Sequence, residues 1–136
     1  MSEQSKTGQY VDYSPQEIEG LITQLANQGL SASQIGVALR DQYGIPHVKA
    51  ITQKRVTQIL TEKNLAGDIP EDLMNLIRKT VVLHKHMLAN KKDMTSKRGY
   101  QLTVSKIRRR VHYYIQTNKL PAGWRYTPES AALLMK

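Results

Sequence analysis

The residues best suited to engage a ligand crowd into one stretch, 90–113. Lys91, Lys92, Lys97, Arg98, Lys106, Arg108, Arg109 and Arg110 fall there, with Asp93 the one acid among them. Cations at that density draw phosphates by Coulomb attraction and by releasing counterions. Asp93 opposes that attraction, so it needs a role of its own. Either it caps the following helix or ties to Lys97 or Arg98, or it accepts a hydrogen bond from an exocyclic base amine. The wide, shallow minor groove of A-form RNA exposes such an amine on guanine. Ser96, three residues on, either caps the next helix or meets a sugar hydroxyl. His86, two helical turns before Asp93, either contacts the same RNA or is a partly buried helix residue. His84 and His86 do not suit a metal, because side chains two apart on a helix diverge by about 200°. No Cys or carboxylate at ligand spacing completes such a set. There is no G-x-x-x-x-G-K, no G-x-S-x-G and no carboxylate pair in an apolar setting. The reading is therefore of a binding protein, not an enzyme, with no cofactor and no metal.

The charge balance supports a polyanionic partner. The chain has 136 residues and a net charge of +9, but the excess is uneven. Residues 1–75 hold 6 Lys/Arg and 9 Asp/Glu, whereas residues 76–136 hold 14 and 2. A half-chain so cationic repels itself unless something anionic neutralises it, and nucleic acid is the commonest such partner. Solvated helix faces usually mix signs, which this half does not. Mean hydropathy is −0.49, and no apolar run approaches the roughly 18–20 residues of a membrane span. No signal segment opens the chain. A membrane partner is not expected. With no Cys there is no disulfide frame and no thiolate chemistry.

Helices must position these groups. Residues 1–13 are polar and read as a flexible arm. Ser14-Pro15-Gln16-Glu17 is a helix start with a capping box, followed by Ile18, Leu21, Ile22 and Leu25 at helical spacing and stopped by Gly29. Ser31 and Gln34 form a second box ahead of Ile35, Ala38 and Leu39. Thr52 is expected to open a third short helix carrying Val56, Ile59 and Leu60, with Asn64 ending it. Residues 14–66 thus read as a three-helix N-terminal bundle, and 67–136 as the basic hairpin domain with a C-terminal tail. Its first long helix starts at Asp68-Ile69-Pro70-Glu71, runs to about Asn90 and carries Leu73, Leu76, Ile77, Val81, Leu83, Met87 and Leu88. Its second runs to about Thr117, with Tyr100, Val104, Ile107, Val111 and Tyr114 stepping by 4, 3, 4, 3 as a packing seam. A short turn between two long helices folds them into an antiparallel hairpin. Leu120-Pro121-Ala122-Gly123 breaks the chain, Trp124 packs the tail back onto the bundle in preference to stacking on a base, and Thr127-Pro128-Glu129 starts a last short helix. The fold class is all-α.

Asn90–Gly99 (N-K-K-D-M-T-S-K-R-G) followed by Ile107–Tyr114 (I-R-R-R-V-H-Y-Y) resembles the signature of small-subunit ribosomal protein fifteen. Ser31–Ile45, Asn64–Leu73 and Leu120–Tyr126 resemble its archaeal and eukaryotic form, and the likeness covers about residues 15–136. The resemblance implies a primary binder of small-subunit ribosomal RNA that fixes a three-way junction and contributes to an intersubunit bridge. Its partners would be that RNA, other ribosomal proteins and a large-subunit contact, with the chain a monomer within the cytoplasmic ribosome. The hairpin turn of that family reads the minor groove with a His, an Asp and a Ser, which fall on His86, Asp93 and Ser96. A backbone-contacting Tyr falls on Tyr113. A junction-binding Thr-Gly turn falls on Ala66-Gly67, of which only Gly67 can serve, through its backbone. A junction Gln falls on Asp72, which cannot donate to RNA. The family's basic, Gly-rich arm is replaced by a nearly neutral start, so RNA threading by the arm is not expected.

Two other readings compete. Residues 31–60 have the short helices and Gly turn of a helix-turn-helix DNA-binding protein, with a recognition helix around Thr52–Lys63. A protein-interaction bundle could instead dock its basic half on an acidic partner.

Overall fold

The computed structural model describes residues 13–135, which hold seven α-helices and no strand. Of the expected arm, all but Tyr13 lies outside the described residues. The chain divides between Ala66 and Gly67 into two compact units, each with its own core.

The first unit contains α1 (Pro15–Asn27), α2 (Ala32–Gln42), α3 (Val48–Thr52) and α4 (Val56–Glu62). Both expected capping boxes are present. Ser14 accepts from the Glu17 N–H while Glu17 accepts from the Ser14 N–H, and Ser31 and Gln34 do the same. Gly29 ends α1 at φ +89°, letting the Leu30 N–H reach the Leu25 carbonyl. Asn64 ends α4 the same way at φ 57°, with the Leu65 N–H on the Leu60 carbonyl. Ile18, Ile22, Leu25, Ile35, Leu39, Ile45, Val48, Ile59 and Leu60 form the core.

One expectation needs correction: Thr52 does not open a helix but closes the one-turn α3, so this unit has four helices rather than three. The cause is local. The buried Thr52 hydroxyl donates to the Val48 carbonyl one turn back, and Gln53 turns left-handed at φ 61°. The next helix then starts afresh at Val56, where the Gln58 side chain accepts from the Arg55 N–H.

The second unit contains α5 (Glu71–Ala89), α6 (Met94–Gln116) and α7 (Pro128–Leu134). His86 of α5 meets Asp93 ahead of α6 at one end, and Asp72 of α5 meets Tyr114 of α6 at the other. The pair is therefore an antiparallel hairpin. Leu73, Ile77, Ile107, Val111, Tyr114, Leu120 and Ala131 form its core, with Trp124 and Tyr126 packed on it from the tail. The seam differs from the expected one in two ways. Thr80 and Thr103 are buried, each donating its hydroxyl within its own helix, to the Ile77 and Gly99 carbonyls. Leu88, expected in the stripe, is exposed. It lies in the last turn of α5, beyond the buried part of the seam, which ends at Thr80.

The Tyr114 hydroxyl lies 2.5 and 2.6 Å from the two oxygens of Asp72. Burial first, and then this hydrogen bond, push the Tyr114 pKa up to about 12. Asp72 also accepts from the Leu73 N–H at 2.8 Å, so one carboxylate serves the head of α5 and pins α6 to it. Tyr114→Phe, which keeps the ring, is expected to destabilise this unit by about 1.5–3 kcal/mol, the worth of a hydrogen bond to a charged acceptor. Trp124, the only tryptophan, reports the loss as a lower urea midpoint of its fluorescence.

Candidate nucleic-acid interface

Four residues, Asn90 to Asp93, separate α5 from α6. Asp93 is the N-cap of α6 and accepts the Ser96 N–H on Oδ1 at 3.0 Å. Its Oδ2 accepts the Ser96 hydroxyl at 2.8 Å and lies 2.8 Å from Nε2 of His86. The Asn90 side chain donates to the His86 carbonyl, closing α5 over the turn. His86, Asp93 and Ser96 thus form one hydrogen-bonded cluster at the tip of the hairpin.

The cluster shows which residue caps α6. The helix cap is Asp93, and Ser96 occupies the third position of the helix as its partner. Asp93 makes no ion pair with Lys97 or Arg98 among the described residues. Three donors holding the carboxylate, the Ser96 backbone first, then the His86 ring and the Ser96 hydroxyl, lower its pKa to about 2. It is ionised throughout the neutral range. A carboxylate offers about four lone-pair sites, and three are engaged here. The remaining site on Oδ1 can take one further donor, such as a base amine.

Around the cluster the surface is cationic. Lys91, Lys92, Lys97, Arg98, Lys106, Arg108, Arg109 and Arg110 are all exposed. Among the described residues only Arg110 has an acid within ion-pair distance, Asp72 at 3.8 Å. Arg109 is braced along α6 by a hydrogen bond from its Nε to the Ser105 carbonyl. Tyr113 is 52% exposed and stands edge-on to Tyr114, with ring centroids 5.3 Å apart, at the opposite end of α6 from Asp93. Gly67 is exposed in the segment before α5. The hairpin therefore gathers His86, Asp93 and Ser96 at its tip beside Lys91 and Lys92, and spreads the other basic residues and Tyr113 along α6.

Sequence reasoning centred on residues 90–113 missed a further cationic face. Arg78, Lys79 and Lys85 are exposed on α5, which carries no acid after Asp72. Their spacing of one, six and seven residues on an amphipathic helix was the available signal.

The first unit is different. Lys54 pairs with Glu62 at 2.8 Å and lies 4.0 Å from Glu19, Lys63 lies 3.8 Å from Glu19, and Arg40 pairs with Asp41. The recognition helix that a helix-turn-helix protein would need around Thr52–Lys63 is interrupted at Gln53–Arg55, and two of its three cations are paired with acids. That reading loses its support.

Comparison with known proteins agrees with the hairpin reading. Residues 52–134 match the model of the family described as "Ribosomal protein S15", and residues 3–45 match the "Ribosomal S13/S15 N-terminal domain". The chain is similar to "Small ribosomal subunit protein uS15" of Methanobrevibacter smithii, 51% identical over 94% of this chain and 97% of the relative. It is likewise similar to the proteins of that description from Methanocorpusculum labreanum, at 50% identity, and Methanoculleus marisnigri, at 47%, each over 88% of this chain and 78% of the relative.

Proposed function

Because the chain belongs to the ribosomal protein S15 family, in its archaeal-type form with the N-terminal helical domain, we propose that it binds small-subunit ribosomal RNA early and holds a three-way junction in one conformation. As a member of that family it is a non-enzymatic protein of the small ribosomal subunit. Its finer role is the proposal, and the observation that carries it is the His86–Asp93–Ser96 cluster set among unpaired cations. Lysines and arginines dock on phosphates and set the register, while the cluster reads a base edge in a shallow minor groove. Gly67 and Tyr113 serve the junction end, Gly67 through its backbone. Asp72 is taken up by Tyr114 and the Leu73 N–H, which fits its lack of an RNA role. RNA is stabilised in the bound form by differential affinity, a population shift that needs no chemistry. The exposed cations on α5 suit a second polyanion, which supports the intersubunit bridge and a large-subunit contact. The first unit, where Arg40, Lys54 and Lys63 are paired with acids, acts as an accessory domain beside other ribosomal proteins.

Filter binding to a three-way RNA junction, a scrambled junction and duplex DNA tests this reading. Tight binding to the matched junction alone is expected, and equal binding to all three would overturn it. Chemical footprinting of small-subunit RNA then locates the contact. Arg109→Ala is expected to weaken binding to matched and scrambled RNA alike and to reduce the slope of log K against log salt by about 1. An unchanged slope removes Arg109 from the phosphate contacts.

A further inference from the structure

Gly99 is the sixth residue of α6, inside a 23-residue helix. Glycine is the poorest helix former after proline, so its presence there calls for a reason. The protein interior supplies none: beyond its chain neighbours and its own stretch of helix backbone, a Cβ built at Gly99 meets no atom of the described residues within 4 Å. The space is open, and it lies one helical turn beyond Ser96, on the neighbouring strip of the helix surface. Exposed Lys97 and Arg98 stand immediately before it. The Thr103 hydroxyl bonds the Gly99 carbonyl at 2.8 Å and holds this turn of backbone in place.

From this we infer that the bare backbone at Gly99 admits the sugar edge of the bound RNA directly against α6, so that Gly99 determines how deeply the Asp93 turn enters the minor groove. The inference rests on the RNA reading above and deepens it. A strand seated by Lys97 and Arg98, with a base edge at Asp93 and Ser96, must pass the next turn of the helix. Any side chain there would hold it off. The two other helical glycines with open space around them lack this setting. Gly20 follows Glu17 and Glu19, which repel phosphate, and the cation one turn beyond Gly36, Arg40, is tied to Asp41.

The test compares Gly99→Ala with Gly20→Ala and Gly36→Ala in the full chain. All three are expected to raise Tm by a few degrees, since alanine favours the helix and meets nothing. Only Gly99→Ala is expected to lose affinity for the matched RNA junction, by about tenfold, as overfilling a close-fitting contact does. Its salt slope should match the parent's, because no charge is removed. Retention of affinity within about twofold while the parent discriminates matched from scrambled RNA overturns the role of Gly99 alone. A fall in Tm for Gly99→Ala also overturns it, because the space would then not be open. Failure of the parent chain to discriminate the two RNAs overturns the RNA reading, and this inference with it.

Discussion

Asp93→Asn is expected to lower the preference for matched over scrambled RNA by about 5- to 150-fold, the range for one base-edge contact worth about 1–3 kcal/mol. Affinity for scrambled RNA should hold or rise, because a negative charge leaves a cationic surface. The substitution is informative because asparagine caps helices as well as aspartate does, so the Ser96 N–H keeps an acceptor. What changes is the second oxygen. With the amide oxygen kept on the Ser96 N–H, an amide nitrogen takes the place of Oδ2 and turns a donor toward the Ser96 hydroxyl and His86, which lose their shared acceptor. The Oδ1 lone pair left for a base amine loses the negative charge behind it and the His86 and Ser96 hydroxyl bonds that aim it. Filter binding on the two RNAs measures the ratio directly. Equal loss on both would mean that Asp93 only shapes the turn. Retention of the far-ultraviolet spectrum and of the Trp124 urea midpoint separates a loss of reading from a loss of fold.

Ile107→Ala is expected to destabilise the second unit by about 2–5 kcal/mol, the range for truncating a fully buried aliphatic side chain. Ile107 has no exposed surface and lies in the same core as Leu73 and Ile77 of α5 and Ala131 of α7. The space it leaves lies between two long helices pinned to each other elsewhere, α6 to α5 by Tyr114 and Asp72. Collapse into the space is therefore limited, which keeps the cost near the upper part of the range. Trp124 fluorescence should report a much lower urea midpoint, while the helical signal of the first unit, whose core shares no residue with this one, melts at its parent midpoint. A single transition with an unchanged midpoint would contradict the packing described.

Where residues speak for themselves through local chemistry, the sequence was sufficient. Ser14-Pro15-Gln16-Glu17, Ser31 with Gln34, Gly29 and Asn64 act within a few residues of themselves, and each does in the structure what its type and spacing dictate. The hairpin was legible because two long amphipathic stretches flank a short polar turn. Thr52, Thr80 and Thr103 were not legible, for one shared reason. A threonine that returns its hydroxyl to a carbonyl of its own helix becomes a small buried side chain, and nothing in the residue type announces this. The buried seam therefore runs through Thr103 where Val104 was expected. For the tip of the hairpin, spacing could place His86, Asp93 and Ser96 near one another. It could not show that they bond to one another, because that depends on the turn bringing the end of α5 within 2.8 Å of the cap of α6. The role of Asp72 was hidden further still, since its partner Tyr114 is 42 residues away.

The division at Ala66–Gly67 bears on how the chain comes into being. Every member of the first core precedes the border, so that half can set before the remainder has left the site of synthesis, in the order in which domains generally acquire their folds. The self-repelling segment is made after it, next to a half that has already taken its shape.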